Sequence, residues 1–354
     1  MRELLTEYER LLAEGPVGRA VVTGVWGSAP RGPGACLLAT TSGAMAGSVS
    51  GGCVEGATVE AIIEAVCGNS PRTLTWTVTH EQAWEVGLAC GGTIDVLVEP
   101  RVRQEWLDAA RTEGGYVLAT IMRGPDTGSA VLVSEDGTAQ LLDQFPVDLS
   151  ESATRAALDA LAALRSTTTT LGEGEAERAL FLEVLPRRPV LFLIGGVHIA
   201  AELTRLAHPM GYRIVVADGR EGFLTRERFP DADSLLPLWP AEAFAAVEVT
   251  GATAICVLSH DPKFDEPALE LALRSPAGYI GAIGSKKTQS ERRARLRASG
   301  FSEAEVARLH GPIGLDLGGR EPAEIALAIL AEITAVRYGR APTLGAQAVS
   351  AVGP

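Results

Sequence analysis

The sequence predicts an α/β protein of two parts, an N-terminal α+β domain followed by a parallel-sheet domain in which strands and helices alternate. Three observations carry this. A chain of 354 residues exceeds what one hydrophobic core serves, so two domains are expected. Its 46% hydrophobic and 21% charged residues are those of a globular protein. After Pro186-Arg187-Arg188-Pro189 the pattern changes from short mixed β runs to buried-looking strands separated by helical stretches. The expected boundaries are 1–187, with 145–187 assigned to the first domain, then 188–340, then a small, uncharged, flexible tail at 341–354.

Residues 2–14 place Leu4, Leu5, Tyr8, Leu11 and Leu12 at helical spacing, and Gly15-Pro16 ends the run. β-rich runs follow at 19–25, 35–40, 73–78 and 93–98, with one helical pattern at 54–66. A helix at 102–111 precedes strands at 116–122 and 130–134, the second followed by an Asp136-Gly137 turn. An alanine-rich helix at 153–164 and a strand at 178–184 complete the first domain, and no internal repeat is visible. In the second domain strands fall at 190–194, 213–217, 254–259 and 279–283, and their alternation with helices means right-handed βαβ units. The last helix, 323–338, shows Ile325, Ile329, Ile333 and Val336 on one face, with Pro322 at its start and Gly339 at its exit.

Composition excludes several classes of function. A net charge of −13 repels a polyphosphate backbone, so no nucleic-acid partner is expected. Apolar runs such as 190–194 are far short of a bilayer span, so no membrane partner is expected either. Five cysteines, at 36, 53, 67, 90 and 256, form no disulfide framework, and with no secretory signal they point to a reducing cytoplasm.

Four elements can carry chemistry. Gly51-Gly52-Cys53-Val54-Glu55 is a glycine-rich turn running into a helical pattern, where free backbone N–H groups attract anions and stabilise a thiolate. Cys53 reads equally as a small buried residue behind a tight turn. Cys90-Gly91-Gly92 repeats the pairing of one cysteine with two glycines, and a soft thiolate suits molybdenum or copper better than magnesium. No Cys-x-x-Cys or His cluster supports a closed zinc site. Gly195-Gly196-Val197-His198 follows a strand and opens a helix, and Asp218 ends the next strand. The topology is that of a Rossmann-like dinucleotide-binding unit. Val197, however, stands where the pyrophosphate needs a small residue, so NAD(P) is not expected in the usual mode. Finally, His260-Asp261 and Ser285-Lys286 follow later strand ends and should converge with Gly195 and Asp218 on one crevice. His260 suits proton transfer and Lys286 a phosphate, against the plainer reading of an Asx turn and a solvated lysine.

Gly27-Ser28-Ala29-Pro30-Arg31, Gly51-Gly52-Cys53-Val54-Glu55 and Cys90-Gly91-Gly92 together resemble the N-terminal domain of the XdhC/CoxI family. His260-Asp261, Tyr279-Ile280-Gly281, Gly284-Ser285-Lys286, Gly311-Pro312-Ile313-Gly314-Leu315-Asp316 and Pro322-Ala323-Glu324-Ile325-Ala326 resemble its C-terminal Rossmann-like domain. The resemblance implies a homodimeric xanthine dehydrogenase accessory factor that binds molybdenum cofactor (molybdopterin), supports its sulfuration with a cysteine desulfurase, and delivers it to a molybdenum hydroxylase client. By motif, Cys53 is then the leading cofactor and metal contact and Cys90 the second. The cofactor-binding set is completed by Gly51, Gly52, Glu55, Gly91, Gly92, Gly195, Gly196, His198, Asp218, His260, Asp261, Ser285 and Lys286. The family's Gly-x-Gly-His at the first loop of the second domain is altered here, where Val197 precedes His198. The role implied is that of a carrier rather than a catalyst. The alternatives are a nucleotide-dependent oxidoreductase using His260 as acid or base, and a nucleotide-sensing module.

Overall fold

A computed structural model describes residues 1–27, 31–78, 92–124, 126–172, 174, 177–220 and 222–340, and the tail expected at 341–354 lies outside these. The chain divides into two compact units, Met1–Arg187 and Arg188–Pro354.

The first unit opens with helix α1 (Leu5–Leu12), strands β1 (Val17–Gly27), β2 (Cys36–Thr40) and β3 (Met45–Gly47), helix α2 (Glu55–Gly68), and strands β4 (Arg72–Val78) and β5 (Gly92–Glu99). It continues with helix α3 (Gln104–Arg111), strands β6 (Tyr116–Ile121), β7 (Ala130–Ser134) and β8 (Ala139–Leu142), helix α4 (Ser150–Ala162), and strands β9 (Thr167–Leu171) and β10 (Arg178–Leu185). Both halves run helix, three strands, helix, two strands. Their antiparallel sheets have the same order, β3-β2-β1-β5-β4 and β8-β7-β6-β10-β9. The unit therefore contains an internal repeat, which corrects the expectation of none. It is a repeat of pairing rather than of residues. β1 has eleven residues where β6 has six, and the Gly-Ser-rich turn before α2 is matched by Asp143-Gln144-Phe145-Pro146 before α4.

Each half buries one sheet face under its second helix. α2 lays Ala61, Ile62 and Ala65 on Ala20, Val22, Leu37, Ala39, Val96 and Val98, while α4 lays Ala153, Ala157 and Ala160 on Val117, Ala119, Ile121, Val131 and Val133. The period of two along the strands and of three to four along the helices is what puts these residues face to face. Val21, Leu97 and Phe181 join the other faces of the two sheets. Among these apolar groups lies Arg19, paired with Glu99 at 2.5 Å and Glu183 at 2.9 Å, with Arg103 also on Glu99. Burial opposes its charge, yet the two carboxylates outweigh burial and raise its pKa. Such a network persists only with every partner present.

The second unit runs β11 (Val190–Ile194), α5 (His198–Ala207), β12 (Arg213–Ala217), β13 (Ser234–Leu236), α6 (Pro240–Ala246), β14 (Thr253–Val257), α7 (Pro262–Arg274), β15 (Tyr279–Ala282), α8 (Lys286–Ala298), α9 (Glu303–Ala307), β16 (Leu309–His310) and α10 (Pro322–Arg337). The sheet is wholly parallel, in the order β13-β12-β11-β14-β15-β16. β11 and β14 are buried at every residue because helices cover both faces, which is why β11 reads as an unbroken apolar run and β14 as one after Thr253. The order reverses between β11 and β14, and ligands of such sheets bind at the carboxyl side of that reversal. The mixed α/β chain with a Rossmann-like second domain is as the sequence predicts.

Candidate functional site

In the first sheet β1, β3 and β4 end, and β2 and β5 begin, on one side: Gly27 and Val78 both pair with Gly92, and Gly47 pairs with Leu37. The 48–54 turn leaves β3 on this side and runs into α2. Cys90 and Gly91 lie outside the described residues, as do Ser28, Ala29 and Pro30, whereas Gly92 opens β5.

The 48–54 turn is built around one carboxylate. Glu55, in the first turn of α2, accepts from the amides of Val49 (3.3 Å), Ser50 (2.9 Å) and Gly51 (3.0 Å), and from the Ser48 hydroxyl (2.7 Å), on one oxygen. Its other oxygen accepts from Gly52 N–H (2.9 Å), Val54 N–H (3.2 Å) and the Ser50 hydroxyl. Burial alone raises the pKa of Glu55, but the Ser50, Ser48 and amide hydrogen bonds overcome it and bring it down to about 2. Gly47 makes the approach possible: its φ is +85°, and a Cβ there would lie 2.2 Å from the Cys36 carbonyl oxygen. The amides expected to face an external anion are thus turned on an internal one. The Cys53 amide is likewise used, donating to Ser50 Oγ at 3.0 Å, while its thiol is exposed. The turn is a fixed base that presents sulfur to solvent. Gly51 and Gly52 shape it through φ of +84° and +125°.

Cys36 and Cys256 are buried, and burial pushes the Cys36 thiol up to about 11 and raises that of Cys256 further. Cys67 is exposed on α2, away from any such turn. No group of three or more His, Cys, Asp or Glu among the described residues could hold a metal ion.

In the second unit Gly195, Gly196, Asp218, His260, Asp261, Ser285 and Lys286 all follow the carboxyl ends of four adjacent strands, β12, β11, β14 and β15. Gly195 has φ +111°, and a Cβ on it would come within 3.0 Å of the Ser259 amide nitrogen. Asp218 is fully buried and accepts from Gly196 N–H (2.7 Å), Arg220 N–H (3.0 Å) and the Arg220 guanidinium (2.9 and 2.6 Å). Burial disfavours its charge, but Arg220 and the two amides hold its pKa below the ordinary value. Asp218 is therefore a structural clamp rather than an open ribose acceptor. A Cβ on Gly196 would meet Leu224 at 2.9 Å, so side chains of this domain crowd the loop where a pyrophosphate would approach. His198 is exposed at the start of α5, 3.5 Å from Glu202. His260 is exposed, Asp261 caps α7 by accepting from Lys263 N–H (3.0 Å), and Ser285 caps α8 by accepting from Thr288 N–H (3.1 Å) with Lys286 exposed beside it.

Sequence reasoning missed the buried polar residues that hold these turns. The Ser259 hydroxyl donates to Asp265, whose second oxygen lies 3.4 Å from Arg292. Arg292 and Gln289 donate to the carbonyls of Ile283 (3.0 Å) and Ala282 (2.9 Å). Burial is the main reason that the Asp265 pKa rises to about 6, against the opposing pull of Ser259 and Arg292. Glu332 accepts from Tyr279 OH (2.5 Å) and Gly314 N–H (2.8 Å) and meets His310 Nδ1 at 3.2 Å. The signal was a polar residue inside an apolar helical stripe: Asp265 between Phe264 and Ala268, Glu332 between Ile329 and Ile333.

Comparison with known proteins matches both units. Residues 191–333 fit the XdhC Rossmann domain, and residues 11–77 fit the XdhC and CoxI family. The chain is 26% identical over 326 residues to a probable xanthine dehydrogenase subunit of Bacillus subtilis, spanning 90% of this chain and 92% of that protein. It is also 26% identical over 313 residues to the molybdenum cofactor insertion chaperone PaoD of Escherichia coli, spanning 88% and 80%. A crystal structure described as a xanthine dehydrogenase from Bacillus halodurans shares the fold, with a TM-score of 0.75, 22% identity and 98% of each chain covered. With both of its units matched and the motifs in order, the chain belongs to the XdhC and CoxI family.

Proposed function

We propose that this protein carries molybdenum cofactor and inserts it into a xanthine dehydrogenase-like molybdenum hydroxylase, acting as a carrier rather than a catalyst. The observation that carries the reading is the exposed Cys53 thiol on a turn whose backbone is held by Glu55. The cargo brings its own dithiolene, so the protein need add few soft ligands, and a thiolate is the side chain for that role. In this reading Cys53 contacts the metal, Cys90 is the second contact, and the cofactor is sulfurated while held, with a cysteine desulfurase as partner. The protein acts as a homodimer in the cytoplasm, with residues 1–187 as the XdhC/CoxI-type domain and 188–340 as the Rossmann-like domain. The near full-length likeness to an insertion chaperone supports the reading. Among the described residues no helix is long and apolar enough to cross a membrane. Asp218, tied to Arg220, weighs against the oxidoreductase alternative.

The test is activation of a cofactor-free client. Cys53→Ala changes an exposed side chain, so the fold should survive while activation falls at least tenfold. Cys67→Ala removes another exposed thiol and should leave activation intact. Equal activation by Cys53→Ala and parent protein would refute the role of Cys53.

A further inference from the structure

We propose that the carboxyl edge of the parallel sheet binds a planar 2-amino-4-oxo heterocycle, the ring edge that pterins share with guanine, with Trp239 as the stacking surface and Asp261 as the carboxylate that takes the paired N–H groups. The choice of a pterin rests on the carrier reading.

Trp239 follows β13 and is 49% exposed, large for an indole in a unit with two well-filled cores. Its ring lies against Gly219, where a Cβ would stand 2.9 Å from Nε1, and edge-on to Phe264 at 5.5 Å. The indole is therefore held in place while half of its surface stays open, the arrangement that a stacked ring requires.

Charge selects the other contact. Arg220 follows β12, and Asp218, together with the Asp261 and Asp265 carboxylates that follow β14 across the strand-order reversal, raises its pKa. Asp218 is matched by Arg220 and Asp265 by Arg292. Asp261 has no ion pair among the described residues and spends one acceptor position on the cap of α7. A carboxylate offers about four acceptor positions, enough to take the N3–H and 2-amino N–H of such a ring side by side. Arg292 supplies a further mark of an absent ligand. It is only 6% exposed, and its Nε has no hydrogen-bond partner among the described residues, a state rare for a buried donor.

Titration calorimetry of the full chain, free of metal and client, tests the proposal with three probes: pterin, lumazine, which has an oxo group in place of the 2-amino group, and guanosine monophosphate. Pterin should bind saturably and lumazine at least tenfold more weakly. Asp261→Asn keeps a capping oxygen and the side-chain shape, so the fold should hold while pterin weakens at least tenfold and lumazine much less. Trp239→Ala should weaken both rings. Equal binding of pterin and lumazine, or unchanged pterin binding by Asp261→Asn, would overturn the proposal. Tighter binding of guanosine monophosphate than of pterin would overturn the pterin assignment. Ring binding is read without client or metal, so its failure leaves the Cys53 experiment standing, and the reverse holds too.

Discussion

Replacing Glu55 with glutamine exposes what holds the Cys53 turn. Seven donors converge on the Glu55 carboxylate: the amides of residues 49, 50, 51, 52 and 54 and the hydroxyls of Ser48 and Ser50. Glutamine keeps one acceptor oxygen and sets an NH2 group against the donors that faced the other. Lowering a carboxyl from 4.5 to about 2 corresponds to roughly 3 kcal/mol at 1.36 kcal/mol per unit. Because the turn is at the surface, solvent screening brings the expected loss to about 2 kcal/mol. Urea unfolding at pH 7 should show that loss, and amide exchange in residues 49–54 should accelerate about 30-fold if the cost is local. The folded-state pKa is the lower one, so the parent's advantage is complete above about 4.5 and fades as pH falls towards 2. The gap between parent and variant should therefore close on acidification. A variant within 0.5 kcal/mol of the parent at pH 7, with unchanged exchange, would show that something else holds the turn.

Arg19→Met should cost roughly 3–5 kcal/mol in urea unfolding, because Glu183 loses its buried cation and Glu99 keeps only Arg103; a loss under 1 kcal/mol would mean that water reaches the cluster. Asp265 has its pKa raised to about 6, so between about 4 and 6 the folded state binds more protons than the unfolded chain and stability should fall as pH rises through that window. Asp265→Asn should abolish that dependence, worth roughly 1–3 kcal/mol, in unfolding curves at pH 4, 5 and 6. Val197→Gly, which from the loop sequence alone should strengthen NAD binding, is not expected to do so, since Leu224 still crowds Gly196 and Asp218 still holds Arg220. Calorimetry showing saturable micromolar NAD binding by that variant would contradict this.

The strongly patterned elements were legible. β11 is an unbroken apolar run, and β12 and β14 are apolar after Arg213 and Thr253, because both faces are covered, and α10 shows its isoleucine face plainly. The strand order was only partly legible, because β13 and β16 have three and two residues and leave no period to read. The repeat in the first unit was hidden because hydrogen-bond pairing, not residue identity, is what recurs. The Gly51-Gly52-Cys53 turn read correctly as a turn into a helix, but its polarity did not. Nothing in the spacing shows that Glu55 folds back onto the amides preceding it, although an acidic residue in a first helical turn is where such a partner sits. Asp218 was visible as a strand-end acid, whereas Arg220, two residues on, turns it inward. Trp239 gave no signal, since one tryptophan beside a proline reads as an ordinary helix start.

If Cys53 holds the metal of a carried cofactor, the molybdenum content of the protein depends on that thiol. Parent, Cys53→Ala and Cys67→Ala proteins, purified without oxygen from a host that makes the cofactor, would be compared by elemental analysis. Molybdenum should be bound to the parent and to Cys67→Ala, and at least tenfold less of it to Cys53→Ala. Equal molybdenum on all three, or none on the parent, would contradict it.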